Sequence, residues 1–195
     1  MFKSIYKNSS LSFAKDLILK GNIIAYPTDT LYGFGVDATN STAINLLNRV
    51  KKRKQPYSII VSSIKMLKEY AYISSNDEKK IQNFLPGPYT LIFKKKDTNL
   101  SNLITLNLDT VGIRIPKHSF CLELTNMINK PIVTTSINEH GSKPLNNIND
   151  IKKKFPEITI FEDKKINNNS SGSTIIDFAI KPEKILRHGD GEYIL

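Results

Sequence analysis

The sequence predicts an α/β domain of α+β character, in which helices flank a sheet of mixed strand directions. Short apolar runs of strand length recur along the 195 residues, and segments with helical spacing of apolar side chains separate many of them. No internal repeat is visible. A chain of this length corresponds to one domain and can bury a core without disulfides. We therefore expect a single domain over residues 1–195, with its core at about 11–187.

The first half of the predicted domain opens with a helix and a buried strand. Residues 11–20 have helical spacing of apolar positions, and Gly21 suits the position just past a helix end. The apolar residues 22–26 form a strand that ends at Pro27, which lacks an N–H for the sheet. The elements predicted up to the middle of the chain are helix 11–20, strand 22–26, helix 41–50, strand 57–62, and helices 64–72 and 76–85.

Strands predominate in the second half. Helix 76–85 stops at Pro86-Gly87-Pro88, because proline cannot continue a helix. Residues 163–172 are polar and have almost nothing to bury, so we expect a mobile loop there. The remaining predicted elements are strands 89–95 and 111–115, helix 118–128, strand 132–136, helix 148–155, and strands 159–161, 173–178 and 184–187.

Composition limits the classes of protein that need to be considered. Lys and Arg number 28 against 18 Asp and Glu, a formal charge of +10. This favours an anionic partner such as a nucleotide, pyrophosphate or RNA, although richness in Lys, Asn and Ile from an AT-rich genome explains it equally well. The single cysteine, Cys121, excludes a disulfide framework and a Cys-rich zinc site, and its apolar surroundings favour a buried structural thiol. With no signal peptide and no membrane-spanning apolar run in the sequence, we expect a cytoplasmic protein without a membrane partner.

Two segments in the first half have polar patterns that ordinary packing does not require. Residues 26–35 (YPTDTLYGFG) run from a buried strand through hydroxyls and a carboxylate to two glycines, which let a backbone approach a ligand closely. A turn capped by its own side chains is the alternative, and the segment is neither a Walker A loop nor a dinucleotide fingerprint. Residues 50–58 (VKKRKQPYS) place four cations at a helix C-terminus, where they either compensate the helix dipole or clamp a triphosphate.

Two further patterns lie in the second half. Arg114 interrupts an apolar strand and must therefore form an ion pair or hold an anion, whereas His118 fits the cap of the next helix. Ser136 and Asn138 are spaced to share one face at the end of a strand, and residues 172–177 (GSTIID) supply a second strand entrance that carries hydroxyls. Polar strand ends of this kind line ligand crevices.

Taken together, these motifs resemble the YrdC-like family of threonylcarbamoyl-AMP synthases. The resemblance covers about residues 11–187 and implies a twisted, mixed sheet with flanking helices around a large basic cavity. It also implies that L-threonine, bicarbonate and ATP with Mg²⁺ give threonylcarbamoyl-AMP and pyrophosphate. A downstream tRNA threonylcarbamoyltransferase complex would then make threonylcarbamoyladenosine in tRNA. The motifs occur in the family's order: residues 26–35, the Lys51-x-Arg53 pair, 86–90 (PGPYT), 114–116 (RIP), 135–138 (TSIN) and 173–177 (STIID).

The resemblance assigns roles to individual residues. Because cations and hydroxyls predominate, positioning and charge neutralisation would drive the reaction without a protein nucleophile. No tightly bound cofactor and no protein metal site are expected. The positions matched to threonine binding are Thr30, Ser136 and Ser173. Those matched to catalysis are Lys51, Arg53 and Arg114. Those matched to ATP binding are Lys51, Arg53, Gln55, Asn138, Asn146 and Arg187.

The sequence departs from the family pattern at three places. The family's usual Lys-Pro-Leu reads Gln55-Pro56-Tyr57, Ile137 stands where the family has Ala, and His140 stands where it has Ser. The chain ends soon after Arg187, as in the short, single-domain type of the family. We therefore expect any lid over the cavity to come from within the domain, with residues 163–172 as the candidate, or from a partner.

Two alternatives stay open at this point. The first is a non-catalytic module of the same fold that binds double-stranded RNA or tRNA, which predicts salt-sensitive RNA binding without turnover. The second is a divergent nucleotide-binding paralogue, which predicts ATP binding without a requirement for threonine.

Overall fold

The computed structural model describes residues 1–52, 54–139, 141–165 and 169–192. Within these ranges ten strands form one mixed sheet in the order β1-β8-β2-β3-β7-β4-β6-β5-β9-β10, which confirms the predicted fold class. The strands are β1 Phe2–Ser4, β2 Ile24–Tyr26, β3 Gly33–Gly35, β4 Ser58–Ile60, β5 Tyr89–Lys94, β6 Thr110–Arg114, β7 Ile132–Ser136, β8 Thr159–Glu162, β9 Thr174–Asp177 and β10 Lys184–Arg187. The helices are α1 Asn8–Leu19, α2 Ser41–Lys51, α3 Ile64–Tyr70, α4 Ser75–Ile81, α5 Asn102–Thr105, α6 Ser119–Ile128 and α7 Ile148–Lys154.

The buried side chains form two hydrophobic clusters, and successive residues of one strand belong alternately to one cluster and to the other. Ile24 and Tyr26 of β2 belong to a smaller cluster with α1 and α6, whereas Ala25 between them belongs to the larger cluster. The central strand β6 alternates in the same way, because Val111 and Ile113 are buried in the larger cluster. Gly112 and Arg114 therefore share the opposite face of β6, and this face carries the candidate site described below.

The structure corrects the sequence analysis at the N-terminus and at two short elements. Strand β1, which was not predicted, pairs in parallel with β8. The three residues of β1 are too few to show the alternation of a strand. Helix α5 was also not predicted, because its four residues are too few to show a helical period. Residues 33–35 form β3, which pairs with β2 and β7. A Cβ on Gly35 would lie 2.6 Å from Cε1 of Tyr26, so close packing explains this glycine.

Other boundaries follow the predicted order of elements with local shifts. Gly21 follows α1 with a φ of +80°, as expected for the end of a helix. Helix α4 ends at Ile81, earlier than predicted. His118 occupies the position before α6, but its side chain makes no capping hydrogen bond. Its Nε2 instead lies 3.1 Å from Oδ2 of Asp163.

Asp163 anchors the start of the predicted loop 163–172. Its Oδ1 accepts a hydrogen bond from the hydroxyl of Tyr6 at 2.5 Å, and its backbone N–H donates to the hydroxyl of Tyr32 at 3.0 Å. Residues 166–168 of this segment lie outside the described residues. The mobility of the loop and its role as a lid therefore stay predictions. None of the described helices is long and apolar enough to cross a membrane.

Candidate active site

A cavity of about 280 Å³ lies over the centre of the sheet. Its wall is formed by β6, β7 and β9, by the last residue of β10, and by the residues that precede β3, β4 and β9. Five of the predicted site residues line it: Thr30, Arg114, Ser136, Ser173 and Arg187. An apolar recess of about 190 Å³, lined by Ile92, Ile104 and Leu108 among others, adjoins it and shares Pro56, Tyr57 and Ser58 with it. Sequence positions far apart thus meet in one polar pocket with an apolar extension.

Arg114 forms the floor of the cavity. Its Nη2 donates to Oδ1 of Asp29 at 2.7 Å and to the hydroxyl of Thr30 at 3.1 Å. The residue is 6% exposed, and its Nε is buried without a hydrogen-bond partner among the described residues. The sequence left an ion pair and an anion site as alternatives for Arg114. The structure shows the ion pair, and it also places Arg114 in the lining of the cavity.

Arg187 forms the opposite wall with Ser173. Its Nε and Nη2 donate to the backbone carbonyl of Ser173 at 3.1 and 2.6 Å, and Nη2 also reaches the Ser173 hydroxyl at 3.1 Å. The hydroxyls of Ser173 and Thr90 lie 2.7 Å apart, and this contact fixes β9 against β5. The last residue of β10 therefore places its guanidinium at the cavity, and the hydrogen bonds to Ser173 fix its orientation.

The two arginines give the cavity an excess of positive charge. Arg187 is an exposed residue overall, but partial burial of its guanidinium against the cavity wall lowers its pKa. The positive charge of Arg114 lowers this pKa further, whereas Asp190 raises it. Asp29 pairs with Arg114, whereas no carboxylate in the part of the chain that the structure describes forms an ion pair with Arg187. A bound anion would offset both the burial and the mutual repulsion, so the site favours anionic ligands.

Lys51 is fully buried beneath the cavity and does not line it. Its Nζ donates to the backbone carbonyl of Ser136 at 2.5 Å and to Oδ1 of Asn138 at 2.8 Å, and the Ser136 hydroxyl also donates to this Oδ1 at 2.9 Å. In this structure, Lys51 therefore holds the end of β7, from which Ser136 faces the cavity. Glu139, the residue after Asn138, forms exposed ion pairs with Lys52 and Lys154.

The other predicted ATP contacts lie at the edge of the cavity or beyond it. Oδ1 of Asn146 accepts the backbone N–H of Tyr32, a cavity residue, at 2.9 Å. Gln55 is exposed and does not line the cavity, although the following Pro56 and Tyr57 do. Arg53 lies outside the described residues. The structure thus brings five predicted residues into the cavity wall and places Lys51, Asn138 and Asn146 directly behind it.

Sequence reasoning missed Asp29, although this residue belongs to a segment that had been singled out. No local pattern indicates its partner, because Asp29 and Arg114 are 85 positions apart. Cys121 was predicted as a buried structural thiol, which is confirmed: it is 1% exposed and its thiol donates to the carbonyl of Pro27 at 3.1 Å. Burial raises the pKa of this thiol, so Cys121 is poorly suited to act as a nucleophile.

Gly189 packs directly behind the cavity wall. A Cβ at this position would collide with the backbone of Gly172 and Ser173. We expect Gly189→Ala to displace Ser173 and lower the free energy of unfolding by about 1–3 kcal/mol. Chemical denaturation measures this, with Gly141→Ala as the comparison: that site has open space but a φ of +77°, so strain alone acts there. Equal losses in the two variants would show that backbone contact at Gly189 is unimportant.

Among the described residues, no group of three or more His, Cys, Asp or Glu side chains is arranged to hold a metal ion. The polar groups of the cavity are guanidinium groups, hydroxyls and backbone groups. Such an arrangement suits the binding and orientation of anions. A metal ion that accompanies a phosphate ligand would be held mainly by that ligand and by water.

Comparison with known proteins agrees with this geometry. The sequence model of the Sua5, YciO and YrdC family, which carries the description "Telomere recombination", matches residues 16–189. A Methanocaldococcus jannaschii protein named "Putative threonylcarbamoyl-AMP synthase" is 34% identical over 184 residues, which are 93% of this chain and 85% of that protein.

Solved structures show the same fold. The structure of P. abyssi Sua5 complexed with L-threonine is 28% identical, with a TM-score of 0.87, and the match covers 97% of this chain and 56% of that one. The chain therefore spans little more than half the length of that relative. E. coli YciO, at 21% identity and a TM-score of 0.87, matches in fold over 98% of this chain and 95% of its own. The chain belongs to the Sua5/YciO/YrdC family.

Proposed function

We propose that the protein is an L-threonylcarbamoyladenylate synthase, a nucleotidyltransferase that makes threonylcarbamoyl-AMP and pyrophosphate from L-threonine, bicarbonate and ATP. The observation that carries the proposal is the cavity in which Arg114 and Arg187 meet the hydroxyls of Thr30, Ser136 and Ser173. The name of the M. jannaschii relative and the threonine complex of P. abyssi Sua5 support it. A downstream tRNA threonylcarbamoyltransferase complex would consume the product.

The reaction needs charge neutralisation more than it needs a protein nucleophile. The neutral amine of threonine attacks the carbon of bicarbonate, and loss of water leaves a carbamate. A carbamate oxygen then attacks the α-phosphorus of ATP, and pyrophosphate leaves. Both steps bring anions together, and preorganised cations and hydroxyls lower the free energy of such transition states. ATP enters as its Mg²⁺ complex, whose metal is held mainly by phosphate oxygens and water.

The geometry supports a division of roles within the cavity. Thr30 bonds directly to Arg114, and Ser173, the residue before β9, lines the same cavity, so these three groups form a pocket suited to the carboxylate and hydroxyl of threonine. Ser136 lines the same cavity and is proposed, from the family resemblance, to contact threonine beside the nucleotide, whereas Arg187 is suited to bind the nucleotide phosphates. Arg53, Gln55, Asn138 and Asn146 are proposed ATP contacts on the strength of the family resemblance.

Lys51 requires a different proposal within the same scheme. The resemblance implies that it faces the phosphates. Its observed bonds to the Ser136 carbonyl and the Asn138 amide support a role in holding the end of β7 beside the nucleotide. The buried positive charge would still add to the potential of the cavity.

Pyrophosphate release tests the proposal against its two alternatives. The protein is incubated with MgATP and bicarbonate, with and without L-threonine, and pyrophosphate is followed over time. The proposal predicts release that requires both threonine and bicarbonate. Release without threonine would favour a nucleotide-binding paralogue. Salt-sensitive RNA binding with no release under any condition would favour the RNA module.

Removal of the Ser136 hydroxyl is expected to lower threonine-dependent pyrophosphate release by at least about tenfold while the fold survives, because one oriented polar contact is lost. Ser136→Ala is compared with Ser9→Ala, which removes an exposed hydroxyl on α1. We expect a similar loss for Arg53→Ala from the family resemblance. Wild-type rates in both site variants would mean that the site is misplaced.

A further inference from the structure

The segment between β2 and β3 holds one side of the Arg114 guanidinium through hydrogen bonds to Asp29 and Thr30. Both oxygens of the Asp29 carboxylate are used: Oδ1 accepts from Nη2 of Arg114 at 2.7 Å, and Oδ2 accepts from the backbone N–H of Lys117 at 2.9 Å. The Asp29 side chain is only 8% exposed. Because Lys117 follows β6 closely, the carboxylate is fixed to the same strand end that carries Arg114.

Thr28 supports the contact between Thr30 and Arg114. The hydroxyls of Thr28 and Thr30 lie 3.1 Å apart, and Thr28 also donates to the carbonyl of Leu31 at 2.7 Å. Nη2 of Arg114 is therefore occupied by Asp29 and Thr30 together. Arg114 also lines the cavity, so the guanidinium is held on one side by this segment and faces the cavity on another.

Asp29 also changes the distribution of charge. It neutralises Arg114 at short range, whereas Arg187 has only the carbonyl and hydroxyl of Ser173 as hydrogen-bond acceptors among the described residues. The arginines are close enough that Arg114 lowers the pKa of Arg187, after the larger effect of burial. Loss of the Asp29 charge would thus leave two guanidinium groups without an ion-paired carboxylate in one cavity, with Asp190 acting on Arg187 only at longer range.

We propose that Asp29 is a positioning residue: it orients Arg114 for the carboxylate of the amino-acid substrate and leaves Arg187, which has no ion-pair partner among the described residues, as the cation for the nucleotide. The inference rests on the proposed function and adds a residue to it. Asp29 acts through Arg114 and is absent from the cavity lining. The positioning role therefore predicts opposite effects of its charge on the two substrates.

Asp29→Asn separates this role from a purely structural one. The asparagine oxygen can still accept from Arg114, but its NH₂ group then faces the N–H of Lys117, donor against donor. We expect the KM for threonine to rise by about tenfold or more, because Arg114 loses its fixed orientation. The KM for ATP should stay the same or fall, because the negative charge of Asp29 no longer repels the anionic nucleotide. Loss of folded protein alone would lower the apparent kcat and leave both KM values unchanged.

Asp37→Asn is the matched control. Asp37 is 3% exposed and pairs with Lys130 at 2.8 Å, but it does not line the cavity. Its replacement should lower the denaturation midpoint and leave the KM for threonine unchanged. If Asp29→Asn does not fold, Asp29→Glu keeps the charge and moves the guanidinium, and the same rise in the KM for threonine is expected.

A double variant makes the test independent of turnover. In an Arg114→Met background, Asp29→Asn should cause no further loss of threonine affinity measured by calorimetry. It should raise the denaturation midpoint, since it removes a buried charge that has lost its partner. Additive losses of affinity, or equal rises of both KM values in Asp29→Asn, would overturn the positioning role. Threonine binding without pyrophosphate release in the wild type would contradict the proposed function alone. A wild type that binds no threonine would contradict both.

Discussion

Replacement of Arg187 by alanine is expected to lower threonine-dependent pyrophosphate release by at least about a hundredfold, the scale seen when a preorganised charge-stabilising donor is removed. Arg187 has no ion-pair partner among the described residues, so its charge is directed to a ligand in the cavity. Its loss also removes three hydrogen bonds to Ser173, a second cavity residue. The measurement is the initial rate of pyrophosphate release at saturating threonine and ATP.

Arg49→Ala is the control for this variant. Arg49 lies near the end of α2 and is exposed, so its replacement also removes one positive charge from the protein. A rate close to that of the wild type is expected for Arg49→Ala. If Arg187→Ala lowered the rate no more than Arg49→Ala, the charge of Arg187 would have no part in the reaction.

Arg114→Met is expected to remove activity and also to destabilise the fold. The variant leaves the Asp29 carboxylate buried with one backbone donor, from Lys117, in place of two partners. Removing one member of a buried ion pair lowers the free energy of unfolding by about 3–5 kcal/mol, and the remaining donor places this case at the lower end. Urea denaturation measures the loss, provided that the m-value is unchanged.

The double variant Arg114→Met/Asp29→Asn checks the cause of that destabilisation. It should recover part of the lost stability, because no unpaired carboxylate remains, but it should recover no activity. A loss below about 1 kcal/mol in the single variant would show that the pair behaves like an exposed salt bridge.

Local patterns were sufficient to predict most of the fold. Alternation along β6 is an example: Val111 and Ile113 were apolar as a buried strand requires, and Arg114 stood out against them. Gly21 and Cys121 were also assigned correctly, since a helix end and a buried thiol can both be recognised from the residues that flank them in the sequence. These signals fail for β1 and α5, whose three and four residues are shorter than any period that can be recognised.

The candidate site could be predicted only in part, because its contacts are long-range. The sequence offered Arg114 as either an ion pair or an anion site, and only the fold shows that Asp29, 85 positions away, is the partner. The sequence likewise cannot show that the ammonium of Lys51 reaches Ser136 and Asn138 from below the cavity. The segment at Asp163 looked featureless for the same reason, since its partners Tyr6, Tyr32 and His118 are distant in sequence.

The chemistry of a basic cavity identifies an anionic ligand but does not distinguish one carboxylate or phosphate from another. The choice of threonine and bicarbonate therefore depends on the family resemblance and on the relatives. For this reason the variants at Arg114, Asp29 and Arg187 are designed around separate substrates. Their effects on the KM for threonine and on the KM for ATP assign each side of the cavity to one substrate.

The most direct test of the central claim is the fate of the bicarbonate carbon. The protein is incubated with ¹⁴C-bicarbonate, L-threonine and MgATP, and the nucleotide products are separated and counted. The proposed synthase activity predicts one labelled product that contains both threonine and AMP, formed in equal amount with pyrophosphate and absent when threonine is omitted. AMP and pyrophosphate without label in an adenylate, or label incorporated without threonine, would contradict it.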